Sequence, residues 1–123
     1  METTMSANTL VIRKDESSNE QIKLDYVAVK SAAMTLRAIN HKLRQQIVKL
    51  LEENKRMNVT DIYVKLRLEQ SVASQHLAIL RRANIVITER DGKFIHYSLN
   101  HQRIAAIAKF VSDLVTAEET TNA

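Results

Sequence analysis

A chain of 123 residues and 14.0 kDa has the length of one domain. Its 45% hydrophobic and 26% charged residues are the balance of a soluble globular protein. The charge is +4 net, with a pI near 9.5. Zero cysteines exclude disulfides, thiolate metal sites and cysteine nucleophiles, while the longest uncharged run, the eleven residues Gln70–Leu80, is too short and too polar to span a membrane.

Residues 1–20 are rich in Thr, Ser, Asn and Glu, lack sustained periodicity and carry a net −2, which predicts a flexible N-terminal arm. No basic flank and apolar run mark a cleaved signal peptide, so a cytoplasmic location is expected. Ile22, Tyr26, Val29, Ala33, Leu36 and Ile39 follow at three- and four-residue spacing, predicting an amphipathic helix. Asn40 reads as the cap of a second helix carrying Leu43, Ile47, Leu50 and Leu51. Thr60-Asp61 reads as the start of a third, with Ile62, Tyr63 and Leu66. After a break at Arg67–Gln70, Ala73, Leu77 and Leu80 mark a fourth helix, with Val72 and His76 beside the stripe. Two short helices separated by so few residues form a helix-turn-helix, whose second helix can enter a DNA major groove.

Beyond Asn84 the period changes. Ile85–Arg90 and Lys93–Leu99 are strand-like, and Asp91-Gly92 between them is a strong hairpin signal. The helical period returns from Ile104 with Ile107, Ala108, Val111, Leu114 and Val115, and residues 118–123 read as a flexible tail. The predicted fold is mainly α with a small β-hairpin wing: four helices, the hairpin, and a fifth helix, a winged helix-turn-helix domain over residues 21–117.

Residues 37–103 hold thirteen Lys/Arg against six Asp/Glu, whereas both ends are acidic. A basic middle points to a polyanion such as double-stranded DNA. Gln can pair bidentately with adenine and Ser reaches several base edges, so Gln70, Ser71, Ser74 and Gln75, on the side of the fourth helix away from its apolar stripe, are the candidate base readers. Arg81, at the end of that helix, and Arg90 and Lys93, beside the hairpin tip, are candidate phosphate contacts. The same residues also suit a solvated helix face and a soluble turn.

From Leu36 to Asn100 the chain resembles the ArsR/SmtB family of bacterial transcriptional repressors. Leu36-Arg37-Ala38-Ile39, Arg44 and Ile47-Val48-Lys49-Leu50-Leu51 resemble its opening helices; Gln70 to Leu77 and Leu80-Arg81-Arg82-Ala83-Asn84-Ile85-Val86 its recognition helix; Arg90-Asp91-Gly92-Lys93 and Tyr97-Ser98-Leu99 its wing. Glu69 departs from the Ser often found at this cap, and a carboxylate there opposes a nearby phosphate. The resemblance implies a homodimer that releases operator DNA when an inducer binds. It also implies an interface on the first and last helices, with Tyr26, Val29, Ala33, Ile107, Val111 and Leu114 as candidates.

Members of the family sense metals, but His41, His76, His96 and His101 form no HxxxH or HExxH pair. Where the family's third-helix site uses cysteines, this chain has Asn58-Val59-Thr60-Asp61-Ile62. The family's last-helix ligands fall on His101, Arg103, Leu114 and Ala117, which cannot build a tetrahedral site. His76 is expected to pack a helix, His96 to lie on a strand and His41 to stand at a helix start. No metal and no other cofactor is expected, and the inducer is unspecified. The leading reading is a sequence-specific DNA-binding regulator, a homodimeric repressor without the usual metal sites. The alternative is a winged helix serving only as a protein-interaction module. No nucleophile–base set or phosphate-cradling Gly-rich loop suggests an enzyme.

Overall fold

The protein, in a computed structural model, is described at residues 3–5 and 8–122, with side chains for residues 8–117. It divides into two compact units, Met1–Arg37 and Ala38–Ala123, rather than at residue 20.

In the first unit three strands, β1 (Thr3–Met5), β2 (Thr9–Arg13) and β3 (Gln21–Asp25), form an antiparallel meander in that order. This corrects the reading of residues 1–20 as an arm without regular structure and of a helix from Ile22. The cause is cross-strand pairing: Leu10 faces Leu24 and Ile12 faces Ile22, so the apolar run of β2 finds partners outside residues 1–20. The connection is tightened by Ser17, whose N–H and hydroxyl both donate to Asp15 Oδ1, and by a Lys14–Glu20 ion pair at 3.1 Å. Helix α1 (Tyr26–Ile39) begins four residues later than expected, because Asp25 Oδ1 accepts from the Val27 and Ala28 N–H groups and caps it.

The second unit holds α2 (Lys42–Asn54), β4 (Met57–Asn58), α3 (Val59–Leu66), α4 (Gln70–Arg82), β5 (Val86–Asp91), β6 (Phe94–Leu99) and α5 (His101–Asn122). Its core is built from Ile47 and Leu51 of α2, Ile62 of α3, Leu77 and Leu80 of α4, and Ile85 and Val86, all fully buried. Strands β5 and β6 pair antiparallel from Val86–Leu99 to Asp91–Phe94, leaving Gly92-Lys93 as the two-residue turn. The turn is thus one residue later than Asp91-Gly92. Gly92 has φ +63° and open space at its Cβ position, so backbone conformation alone favours glycine there. The two residues of β4 pair with Tyr97 and His96 and widen the wing to a three-stranded sheet, order β4-β6-β5. Helix α5 continues through the segment read as a tail, to Asn122; Ala123 lies outside the described residues.

The helix boundaries differ from the sequence reading at two caps. His41, not Asn40, caps α2, its Nδ1 accepting from the Leu43 N–H at 3.1 Å. Asn58, not Thr60, caps α3, its Oδ1 accepting from the Asp61 N–H at 2.8 Å. Between α3 and α4 the chain reverses through Arg67, in the left-handed region at φ 56°, with the Leu68 N–H on the Tyr63 carbonyl and the Arg67 N–H on that of Val64. This paired closure is a Schellman turn, and it fixes the short helix-turn-helix break. Asn84, at φ 60°, ends α4 in the same way, with the Ile85 N–H on the Leu80 carbonyl.

Candidate nucleic-acid interface

Helix α4 has two unlike faces. Ala73, Leu77 and Leu80 are completely buried, which fixes the orientation of the helix. Gln70, Ser71, Ser74 and Gln75 consequently stand exposed on the other side, continued by Ala78, Arg81 and Arg82. The three- and four-residue spacing gathers Ser71, Ser74, Gln75, Ala78, Arg81 and Arg82 on one surface. Glu69 occupies the cap position without a side-chain capping bond, so any help it gives the helix comes from its charge.

Arg90 is exposed at the end of β5 and Lys93 is exposed in the turn, its Nζ 5.5 Å from the centre of the Phe94 ring. Among the described residues none of Arg81, Arg82, Arg90 and Lys93 makes an ion pair. The acids of the hairpin are treated differently. Glu89 and Asp91, which share a face of β5 opposite to Arg90, each lie 3.8 Å from Arg56 Nη2. Arg56, which sequence reasoning passed over, thus offsets the two carboxylates that would oppose a polyanion. No spacing signal could have found it, because the pair joins residues more than thirty apart.

Behind the exposed face Arg44 is 7% exposed. Its Nε donates to the Ala38 carbonyl at 2.6 Å, and its Nη1 lies 3.2 Å from His76 Nδ1. The His76 ring stands 4.8 Å from that of His41, centre to centre. Burial, then the nearby His41 and Arg44, hold the His76 imidazole below its ordinary value of 6.5. The unfolded chain therefore takes up this proton first, and stability is lost as pH falls through about 6.5. Urea midpoints should fall between pH 7.5 and 5.5 and fall less in His76→Gln, which keeps an acceptor for Arg44 but does not titrate. An equal fall in the variant would contradict this.

Of the other histidines, His96 lies on β6 and His101 opens α5, its Nε2 3.2 Å from Glu52 Oε2. That contact, with Lys55, draws the Glu52 carboxyl below its usual range. Arg103 donates from Nε to the Ala83 carbonyl at 3.1 Å. Among the described residues no three His, Asp or Glu side chains are grouped to hold a metal ion.

The candidate interface residues fall in both units. Tyr26, Val29 and Ala33 are exposed on α1 in the first. On α5 Ile107 is half-buried against the core, while Val111 and Leu114 are 40% and 58% exposed. Phe110 and Val115 beside them are also exposed, and the sequence reading had not placed them at an interface.

The sequence profile of the bacterial regulatory protein, arsR family, matches residues 41–88, the span from the cap of α2 into β5. The transcriptional repressor PagR of Bacillus anthracis is 34% identical over 92 residues, 75% of this chain and 92% of PagR. The chain belongs to the ArsR family. This ArsR-family protein is therefore a DNA-binding transcriptional regulator and not an enzyme, with a winged helix-turn-helix fold. The crystal structure of PagR superposes with a TM-score of 0.58, covering 71% of this chain and 99% of that one. The transcriptional activator HlyU of Vibrio cholerae is 32% identical over 83 residues, 68% of this chain and 76% of HlyU. The crystal structure of NolR from Sinorhizobium fredii, at 32% identity, gives a TM-score of 0.60 over 72% of this chain and 88% of NolR. No helix among the described residues is long and apolar enough to cross a membrane.

Proposed function

We propose that this ArsR-family regulator is a homodimeric, cytoplasmic repressor that reads operator DNA through α4 and blocks promoter access. The observation that carries the reading is the two-faced α4. Its polar side chains Gln70, Ser71, Ser74 and Gln75 are exposed opposite a completely buried stripe, with cations at its end and on the hairpin that make no ion pair among the described residues. In this reading the four polar residues contact base edges, and Arg81, Arg90 and Lys93 contact phosphates. Val111 and Leu114 of α5, with Ile107, supply one apolar surface to meet a second copy, and Tyr26, Val29 and Ala33 of α1 supply another. A dimer then presents two α4 helices to successive major grooves. The repressor sense is supported by the likeness to PagR; HlyU is an activator, so footprint position decides. An interaction module without an operator would be better served by an apolar α4 surface than by Gln and Ser.

The test is footprinting with run-off transcription on promoter fragments recovered from the genome by the full-length protein. The reading predicts a protected inverted repeat with half-sites about 10 bp apart, or a multiple, overlapping the promoter, and reduced transcript. Protection upstream with increased transcript would overturn repression.

Operator release is proposed to be independent of transition metals. Of the residues at the family's last-helix positions only His101 offers a side-chain ligand: Arg103 is a cation that donates to a backbone carbonyl, and the side chains of Leu114 and Ala117 have no donor atom. Titrating the protein–operator complex with Zn²⁺, Ni²⁺ and Co²⁺ should leave its affinity unchanged. A stoichiometric, chelator-reversible loss at sub-micromolar free metal would overturn this.

A further inference from the structure

The meander of the first unit has two unlike faces. Leu10 pairs with Leu24 and Ile12 with Ile22, so these four side chains share one face. Thr9, Arg13, Gln21, Lys23 and Asp25, with Val11, share the other. Although they stand on the apolar side, Ile22 and Leu24 are 46% and 44% exposed. A sheet of three short strands draws its stability from packing that side against something. The matched family profile begins at residue 41, so nothing in it accounts for the meander.

Two observations point to a second copy of this chain as the cover. The first is position. The meander is fastened to the start of α1: Asp25 caps the helix, and the Tyr26 N–H donates to the Asn8 carbonyl at 2.6 Å. The candidate contacts Tyr26, Val29 and Ala33 all lie in the N-terminal part of α1. At 1.5 Å per residue, a two-fold axis at Val29 passes roughly 5 Å along the helix from Tyr26. Packed helices lie about 8–10 Å apart, so the starts of two such helices, and the meanders fastened to them, come together at the axis. The second observation is area. Tyr26, Val29, Phe110, Val111, Leu114 and Val115 are each 40–58% exposed, so each offers on the order of 100 Å². That is roughly 600 Å², whereas a permanent homodimer buries about 1,000 Å² or more per partner. The meander face extends the apolar area available.

We infer that the apolar faces of two meanders stack on each other across the two-fold axis, Leu10, Ile12, Ile22 and Leu24 of one copy interdigitating with the same residues of the second. The inference rests on the α1 contact proposed above and adds a sheet-on-sheet contact to it. A two-fold axis brings each face onto its own equivalent, so one apolar surface serves both copies. The polar face, with Arg13, Lys23 and Asp25, stays in water.

The experiment uses single substitutions in the full chain. Leu24→Glu places two carboxylates in the stacked faces and should weaken the dimer at least about tenfold by sedimentation equilibrium. Lys23→Glu, one residue away on the polar face, should leave the dissociation constant within about twofold. Crosslinking gives a readout that holds even if Leu24→Glu fails to fold. The chain has no cysteine, so Leu24→Cys and Lys23→Cys each carry a single thiol. A bismaleimide with a reach of about 10 Å, the spacing of packed sheets, should join two copies through Leu24→Cys and not through Lys23→Cys. A Leu24→Glu chain that folds and dimerises as wild type overturns the stacking while the dimer stands. Absence of crosslinking in a dimeric Leu24→Cys chain overturns it too, whatever Leu24→Glu does. A wild-type chain that stays monomeric at high micromolar concentration overturns the dimer itself, and the stacking with it.

Discussion

Leu77→Ala is expected to destabilise the winged unit by about 3–4 kcal/mol. Leu77 has no exposed surface and lies on the buried stripe of α4 with Ala73 and Leu80, in one core with Ile47, Leu51, Ile62 and Ile85. Truncation removes the transfer energy of three carbons and leaves a void that helices joined by short turns cannot close. Domains of this size are stable by only about 5–15 kcal/mol, so the loss is a large fraction of the total. Urea unfolding followed by far-UV circular dichroism measures it, with Leu77→Met, which conserves volume, expected to cost less than about 1.5 kcal/mol. A change below 1 kcal/mol for the alanine variant would mean that α4 is not anchored by this stripe.

Replacing Gln70, Ser71, Ser74 and Gln75 together by alanine is expected to leave the fold intact and remove sequence discrimination. Alanine is the best helix former and all four side chains are exposed, so urea stability should be unchanged or slightly raised. Each good bidentate contact to a base is worth about 1–3 kcal/mol, so the two glutamines, with the serines adding single contacts, carry a preference of roughly 10²- to 10⁴-fold. None of the four is charged. Affinity for unrelated duplex and its salt slope, which come from the cations, should therefore hold. A variant that kept its preference for the operator would place base reading elsewhere on the molecule.

The winged unit was legible in the sequence because its signals are local. The stripe Ala73-Leu77-Leu80, the glycine in the hairpin and the change of period after Asn84 each act within one element. Asn84 then closes α4 in a left-handed conformation that asparagine tolerates. The misreadings have physical causes. Gln21-Ile22-Lys23-Leu24-Asp25 alternates polar and apolar as a strand does, but Ile22 also stands four residues before Tyr26 and extends the helical pattern of α1 backward. Only the pairing of Ile22 with Ile12 and of Leu24 with Leu10 decides between the two. Strand β4 has two residues, too few to show any period. At α2 and α3 the neighbouring residues competed for the cap, and His41 and Asn58 prevailed because their side chains reach the free N–H groups.

The candidate site divides the same way. The exposed face of α4 follows from helical spacing once the buried stripe is known. The partners that shape its electrostatics do not. Arg56 meets Glu89 and Asp91, Arg44 meets His76, and Tyr97 joins Arg81 and Asn84 at one cleft, all through tertiary packing that places distant residues side by side.

The most direct test of the central claim, that α4 reads DNA sequence, is selection of genomic fragments by the full-length protein. The affinity of the enriched duplex and of its scrambled counterpart is then measured at one physiological salt concentration. The account predicts a shared inverted repeat bound at least about 10³-fold more tightly than the scramble, with the preference lost in the four-alanine variant. Selection that enriched no sequence, with equal and weak affinity for both duplexes, would contradict it.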